Sequence, residues 1–378
     1  MDSTLPMVID RRQLLQLGGV ALAGHALTLS DRARAGTPSS AVQLFAAARK
    51  GRTGYSAAIF DQTGQDHAVV SLPARGHDVA VCQRTKQCVV FARRPGNFAV
   101  AFSVARRSAP VSFTTPPDRH FYGHGTFSSD GSLLFATEND FEAARGCIGV
   151  YDVKRGFHRV GEFPTHGIGP HDLALLPDGQ TLVVANGGVE THPDIGRGRT
   201  SLNLATMEPS LVYIDTRTGD VIERHTLPAS SRRLSLRHLD IGQRRTVVIG
   251  GQVKASSGRT LPLILTHRLG TDLAPVTLPN KLARSLRGYI SSVAVSAAGD
   301  LAALTSSRGG AVVFVDVASG RYLGTRHVQD VSGVAPAATD GFLLTSGTGA
   351  LAIHERSGPD GPVATSAWHW DNHAVRVR

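Results

Sequence analysis

The sequence is poor in cysteine, methionine and aromatic residues, and it lacks the motifs of several common protein classes. Its three cysteines form neither Cys-x-x-Cys nor Cys-x-x-Cys-His, so a thiol redox pair and covalently attached haem are unsupported. The sequence also lacks the motifs Gly-x-Ser-x-Gly, His-Glu-x-x-His and Gly-x-x-x-x-Gly-Lys-Ser/Thr. The hydrolase, zincin and P-loop classes are therefore without their markers. Beyond the N-terminal segment, no stretch shows helical periodicity over several turns.

Positive charge is plentiful but is not organised into a nucleic-acid-binding pattern. Forty Lys and Arg residues stand against thirty Asp and Glu, a formal net charge of +10. The arginines are scattered, with no basic helix and no basic strip interleaved with aromatic residues. Nucleic acid is therefore not predicted as a partner.

A histidine that returns at the same place in a repeated unit is the main positive signal. It occurs as His77, His124, His171, His238 and His373, each just before a short apolar run. The first two intervals are both 47 residues, the third is 67, and the last is 135, about three times 45. A repeat of roughly 40 to 50 residues built from short strands predicts a β-propeller.

The repeated units also predict the strands and their number. GHGTFSSDGSLLFATEND and PHDLALLPDGQTLVVANGG each read as a strand, an Asp-Gly turn and a second strand, which is a strong hairpin signal. Units begin near residues 77, 124, 171, 238, 290 and 333, and residues 43–73 supply three further strands. The C-terminal WDNHAVRVR can complete that last unit. We predict an all-β, seven-bladed propeller in which the N- and C-terminal strands close one blade, with six or eight blades as alternatives.

The N-terminus resembles an export signal. Arg11 and Arg12 precede an apolar stretch from Leu14 to Leu29, and the small-x-small sequence of residues 33–35 follows. This order is typical of a secretory signal peptide, and the paired arginines are similar to a twin-arginine signal. We predict a signal peptide over residues 1–35, a single propeller domain over residues 36–378, a periplasmic location and no membrane span after signal removal.

The recurring histidines have two interpretations. A histidine at the start of an inner propeller strand can simply cap a loop within its blade. Alternatively, the first strands of all blades line the central channel, so five imidazoles there would share one volume. Neutral imidazole is a common ligand of copper, iron and zinc. The second interpretation predicts a transition-metal site, for iron or copper, formed by His77, His124, His171, His238 and His373.

Polar residues in loops are predicted to complete this site. A loop insertion at about residues 187–210 falls between the second and third strands of the fourth blade and should fold over the histidine face. Ordered cover with a packing role is the alternative. The candidate cofactor-binding residues from the insertion and from the matching loop of the preceding blade are Glu138, Asp140, Glu190, His192, Asp194 and Arg197. Carboxylates such as Glu138 and Asp140 could equally cap a loop.

Two cysteines flank a tight turn and are candidates for a disulfide. Cys82 and Cys88 lie on either side of residues 83–87, between two adjacent strands, where cross-strand neighbours come within disulfide reach. Cys147 has no obvious partner and is expected to be a small buried apolar residue.

The whole chain resembles a known family. PDGQTLVVANGG and LVYIDTRTGDVIE are similar to the YVTN-type repeats of WD40-like bacterial propellers. The arginine signal, NGGVETHPDIGR, LNLATMEPSLVYID and WDNHAVRV more closely resemble the DUF1513 family of exported bacterial proteins. That resemblance implies a setting of periplasmic iron or other metal acquisition, with other exported iron-handling proteins as partners. A monomer is expected. The alternatives are a metal-free scaffold that docks exported partners and a lactonase- or oxidoreductase-type propeller enzyme.

Overall fold

The folded part of the chain is a ring of small antiparallel sheets. A computed structural model describes residues 42–104, 109–255, 260–337, 341–356 and 363–377. These residues form seven sheets, six with four strands and one with five. The predicted seven-bladed, all-β propeller is confirmed. The predicted signal peptide over residues 1–35 lies outside the described residues.

Each blade is built from strands that are consecutive in the chain, except that the first blade also includes the two C-terminal strands. The first blade contains β1 (Leu44–Gly51), β2 (Gly54–Asp61), β3 (Asp66–Leu72), β28 (His369–Trp370) and β29 (Val375–Arg376). The second contains β4 (Gly76–Val81), β5 (Gln87–Ala92), β6 (Phe98–Ser103) and β7 (Val111–Thr114). The third contains β8 (Arg119–Phe127), β9 (Leu133–Asp140), β10 (Arg145–Asp152) and β11 (His158–Pro164).

The remaining four blades follow the same up-and-down order. The fourth contains β12 (Pro170–Leu175), β13 (Thr181–Asn186), β14 (Ser210–Asp215) and β15 (Val221–Thr226). The fifth contains β16 (Leu234–Ile241), β17 (Val247–Val253), β18 (Ile264–His267) and β19 (Ala274–Pro275). The sixth contains β20 (Ser292–Val295), β21 (Leu301–Ser306), β22 (Ala311–Asp316) and β23 (Tyr322–His327). The seventh contains β24 (Val331–Pro336), β25 (Phe342–Ser346), β26 (Ala350–His354) and β27 (Ala364–Thr365).

Helical structure is limited to a few turns between strands. The described residues contain one α-helix, α1 (Asn280–Ser285), and three 3₁₀ turns, Gly196–Gly198, Ala229–Ser231 and Gln243–Arg245. No helix in the described part of the chain has the length and apolar character needed to cross a membrane. Cys82, Cys88 and Cys147 are buried, and the structure has all three as free thiols.

The two ends of the described chain close the ring in the first blade, as predicted. Strand β1 pairs antiparallel with both C-terminal strands, with Arg49 opposite Trp370 and Phe45 opposite Arg376. The innermost strands of neighbouring blades contact one another around the whole ring. Their order is β4, β8, β12, β16, β20, β24, β29 and back to β4. Closure protects strand edges that would otherwise be open to pairing with another chain.

The apolar core lies between adjacent blades rather than at one centre. At the closure, the fully buried rings of Phe45 and Phe60 pack with Trp370 and with Leu343 of the seventh blade. The Phe60 and Trp370 ring centroids are 4.5 Å apart. Five further clusters fill the other six interfaces, and the largest of them extends over the fourth, fifth and sixth blades. Each buried apolar side chain contributes roughly 1.5–3 kcal/mol, so adjacent blades hold each other in place and fix the channel that they surround.

Short polar motifs set the turns that return each strand. Gly131 and Gly179, in the Ser-Asp-Gly and Pro-Asp-Gly turns, have positive φ values of 72° and 71°, which glycine adopts without steric cost. At the end of β14, the Asp215 carboxylate accepts a hydrogen bond from the backbone N–H of Arg217 at 2.8 Å. Asp316 accepts one from Ser319 at the same distance. These local bonds explain why the repeat ends its third strands in aspartate.

Candidate metal centre

An irregularity in each histidine-bearing inner strand directs an imidazole toward the channel. The pairing register shifts at or next to His77, His124, His171 and His238. His373 lies in the gap between β28 and β29. A β-bulge leaves a residue out of the regular ladder and re-aims its side chain. Five blades therefore present a histidine to the axis at one level of the channel.

The five histidines form one contiguous, buried cluster. Their exposed fractions lie between 1% and 8%. Their rings form a closed circuit, with centroid separations of 5.0 Å (His77 to His124), 4.9 Å (His124 to His171), 4.6 Å (His171 to His238), 4.6 Å (His238 to His373) and 4.7 Å (His373 to His77). The structure thus brings together all five residues that the sequence nominates as metal ligands. In the two other blades the inner strands carry Ser292 and Ser332, both also buried.

The ring nitrogens are close enough to share metal ions. His77, His124 and His171 offer ligand atoms that lie within 4.8 Å of one another, and so do His124, His238 and His373. Both groups include His124, so one ion could be held at either group. Metal-to-nitrogen bonds of about 2 Å would require the rings to move inward from these separations.

Hydrogen bonds hold three of the imidazoles by the nitrogen that faces away from the cluster. Nδ1 of His77 lies 3.1 Å from the Asp371 carboxylate, and Nδ1 of His124 lies 3.0 Å from that of Asp78. Nδ1 of His373 lies 3.0 Å from the Ser292 hydroxyl. A carboxylate that accepts from one ring nitrogen fixes the tautomer and leaves the other nitrogen free to bind a metal. This arrangement is typical of metal-ligating histidines.

Several nitrogens inside the cluster have no hydrogen-bond partner among the described residues. They are Nε2 of His124, Nδ1 of His171, both ring nitrogens of His238 and Nε2 of His373. A buried polar group left without a partner costs about 1–3 kcal/mol. A metal ion would satisfy several of these nitrogens at once, whereas the loop-capping interpretation would require them to be bonded within their blades.

The electrostatics of the cluster favour the neutral imidazole at four of the five histidines. Burial lowers the pKa values of His77, His171 and His238 well below the ordinary value, and it lowers the pKa of His373 to about 4. Burial also lowers the pKa of His124, but the carboxylates of Asp172 and Asp78 outweigh it and leave that pKa raised. The neutral imidazole is the form that binds a metal.

Two cavities of opposite charge adjoin the histidines. The first, the cationic cavity, has a volume of about 400 Å³ and is lined by His77, His171 and His238 together with arginines and a lysine. The second, the acidic cavity, has a volume of about 240 Å³ and includes His238, His373 and three aspartates, Asp78, Asp172 and Asp240. Burial raises the pKa values of Asp172 and Asp240 to about 6.

The two predicted carboxylate ligands of the third blade contact arginines instead of the histidines. Glu138 is fully buried and accepts hydrogen bonds from Arg159 at 2.8 Å and from the Tyr151 hydroxyl at 2.5 Å. Asp140 accepts one from Arg145 at 2.6 Å and lies 3.3 Å from an Arg119 nitrogen. These bonds tie β9 to β10 and β11, which explains why buried carboxylates are tolerated there.

The insertion contributes to the wall of one cavity, but its described predicted ligands, Glu190, His192 and Asp194, line neither cavity. It connects β13 to β14, and its described Arg199 lines the cationic cavity. The Glu190 backbone N–H donates to Asn203 at 2.8 Å, which folds the loop on itself. His192 lies 3.7 Å from Glu142 and 3.8 Å from Asp194. The side chain of Arg197 lies outside the described part of the structure.

Sequence reasoning missed the aspartates behind the histidines and the cations of the cavity. Asp78 and Asp172 directly follow their histidines in the chain, so a repeated His-Asp pair was the available signal. Asp371 precedes His373 by two residues. The cations come from Arg237 in the bulge of β16 and from loops that follow second strands, and such loops open toward the histidine face.

Taken together, these features define a propeller with a buried five-histidine cluster in its channel. A family model described as "Protein of unknown function (DUF1513)" matches residues 70–377, and the chain belongs to this family. No curated protein matches.

Solved structures of other proteins share the fold. Hydrazine synthase from Kuenenia stuttgartiensis is similar with a TM-score of 0.55 and 14% identity, over 82% of this chain and 90% of that one. A chain of a mitotic checkpoint complex is similar with a TM-score of 0.56 and 13% identity, over 77% of this chain and 79% of that one. At these identities the likeness concerns the propeller architecture alone.

Proposed function

We propose that this protein binds a transition-metal ion, iron or copper, through His77, His124, His171, His238 and His373, and that it does so in the periplasm as part of iron acquisition or handling. The observation that carries the metal proposal is the buried set of imidazoles whose inward nitrogens lack partners among the described residues. The periplasmic setting rests on the export-signal pattern at Arg11 and Arg12 and on the resemblance to exported proteins.

The donor set favours a borderline metal over a hard one. Imidazole nitrogen suits copper, iron and zinc, whereas magnesium and calcium prefer oxygen ligands. The nearest carboxylates, Asp371 and Asp78, are hydrogen-bonded to the outer nitrogens of His77 and His124. They hold and polarise the ligands, so the first coordination sphere would consist mainly of neutral nitrogen donors.

Elemental analysis of purified protein tests the proposal. We expect near-stoichiometric metal in the wild type and its loss in a His124→Ala/His171→Ala double variant, because His124 belongs to both ligand groups. The matched control is His158→Ala, which removes an exposed imidazole on β11. Circular dichroism and thermal melting of each variant verify that the propeller is still folded.

The outcomes separate the leading functions. Metal that disappears only in the double variant supports the histidine centre. Equal metal content in the wild type and the double variant refutes a shared site. A wild type that stays metal-free after reconstitution with iron and with copper refutes the metal proposal, and it favours a scaffold that docks exported partners through the same face.

A further inference from the structure

The cationic cavity collects positive charge without matching negative charge. Its described lining includes six positively charged residues, Arg93, Arg94, Arg199, Arg237, Lys254 and Arg308. No carboxylate is among the described residues that line it. Cations gathered around one space repel one another, and an anion bound there would relieve this repulsion.

Arg237 is the clearest sign of a missing partner. It lies next to His238 in the bulge of β16 and is only 5% exposed. Two nitrogens of its guanidinium, Nε and Nη2, are buried without a hydrogen-bond partner among the described residues. A buried guanidinium normally forms a paired, two-bond contact with a carboxylate or phosphate. Arg237 therefore presents an unused donor pair in the wall of the cavity.

The remaining cations have too few anionic partners. The Asp371 carboxylate accepts hydrogen bonds from both Arg93, at 2.8 Å, and Arg75, at 2.5 Å. Arg308 lies over the Tyr289 ring at 4.6 Å from its centroid, and this cation–π contact leaves the positive charge in place. One carboxylate thus serves two arginines beside the cavity.

The lysine of the cavity is affected by the same cluster of cations. Burial is the main cause that lowers the pKa of Lys254 to about 7, and Arg237, Arg94 and Arg308 contribute. A bound anion would oppose this effect.

We propose that the cationic cavity binds a small polycarboxylate anion, held by Arg237 at its base and by Arg199 and Arg308 at its exposed side. The cations surround a space of about 400 Å³ instead of converging on one point, which favours several carboxylates spread over one molecule above a single phosphate. The site does not depend on a metal at the histidines, although a ligand bound there would contact the histidine cluster through His77, His171 and His238.

Titration calorimetry with citrate at low ionic strength tests this inference. The protein is first freed of metal with a neutral chelator such as 2,2′-bipyridine, because an anionic chelator is itself a polycarboxylate. We expect one citrate per chain, weaker binding as salt is added, and no binding of the neutral ester triethyl citrate. Inorganic phosphate, run in parallel, distinguishes a polycarboxylate site from a general oxyanion site.

Exposed cavity residues provide variants that should fold normally. Arg199→Gln and Arg308→Gln each remove one charged donor, and each should weaken citrate binding about tenfold, which corresponds to about 1.4 kcal/mol. Arg155→Gln is the matched control, because it removes the same charge from an exposed turn outside the cavity. Arg237→Gln should have a larger effect, and thermal melting verifies its fold.

The citrate-binding measurements can support or overturn the proposed anion site. Absence of citrate binding, or equal weakening by Arg155→Gln, overturns the proposed site. Phosphate that binds as tightly as citrate overturns the polycarboxylate assignment. Citrate binding that persists in the His124→Ala/His171→Ala variant supports an anion site even if no metal binds. Failure to bind citrate together with normal metal content refutes the anion site alone.

Discussion

Replacing Asp371 with asparagine is expected to weaken metal binding through a residue that is not itself a ligand. The Asp371 carboxylate is 6% exposed and accepts from Nδ1 of His77, from Arg75 and from Arg93. Its pKa is held far below the ordinary value, because the bond with His77 and the two arginines outweigh the effect of burial. Asparagine keeps the shape but removes the charge, and its amide can present either a donor or an acceptor to His77.

The size of the effect follows from these contacts. Loss of a carboxylate behind a ligating histidine typically reduces metal affinity about 10- to 100-fold, which corresponds to about 1.4–2.7 kcal/mol. The free energy of unfolding should also fall by about 3 kcal/mol, as when one partner of a buried ion pair is removed. We take the low end of the known range because the Arg75 side chain is 46% exposed and can be hydrated.

Competition with a metallochromic indicator measures the affinity, and denaturant unfolding of the metal-free protein measures the stability. Asp66→Asn is the matched control, since Asp66 forms two hydrogen bonds of 2.7 and 2.6 Å with the buried Arg49 in the first blade. Both variants should lose stability, but only Asp371→Asn should lose metal affinity. If both bind metal equally well, the idea that Asp371 orients His77 for metal binding is wrong.

Three further predictions concern the cavity, the insertion and export. Lys254, with a pKa of about 7, loses its proton as pH rises through neutrality; the cavity then loses one positive charge, so citrate affinity should fall between about pH 6 and about pH 8.5 relative to Lys254→Gln, for which the ionisation of citrate itself is the same. Calorimetry of both proteins at both values checks this, and a wild-type affinity that changes with pH in the same way as that of the variant contradicts it. Deleting residues 190–206 should leave the ring folded, because β13 and β14 pair along their whole length, but it should weaken citrate binding through loss of Arg199. Loss of cooperative thermal unfolding would instead make the insertion part of the fold. Replacing Arg11 and Arg12 with lysine should block export, as followed by cell fractionation; a variant that still reaches the periplasm would contradict the twin-arginine prediction.

The architecture could be predicted because its determinants are local and repeated. The 47-residue spacing of His77, His124 and His171, together with the Asp-Gly turns, gave the unit and its strands. The number of blades depended on recognising that the segment around His373 has the features of an inner strand. The same spacing placed five histidines at one level of the channel, because equivalent positions of a propeller meet at its axis.

The finer parts of the site could not be predicted from the repeat. The bulges that turn the histidines inward depend on the pairing register of the strands. A pattern of apolar residues does not show where that register shifts by one residue. Glu138 and Asp140 looked like available ligands because nothing in the sequence indicates that Arg159 and Arg145 lie across the sheet. The cationic cavity depends on loops from several blades, and its charges become apparent only when those loops are placed side by side.

The two cavities are lined by residues of opposite charge, so the channel has a positive side and a negative side. The inner strands run the same way through the ring, so residues that follow the histidines, such as Asp78, Asp172 and Asp240, lie beyond them on one side, and the arginine-bearing loops lie on the other. The formal charge of the lining residues therefore changes sign from one side of the histidine layer to the other. Under the two proposals, a metal cation would be attracted from the aspartate side and a polycarboxylate from the arginine side. The two ligands would then approach the same histidines from opposite mouths of the propeller.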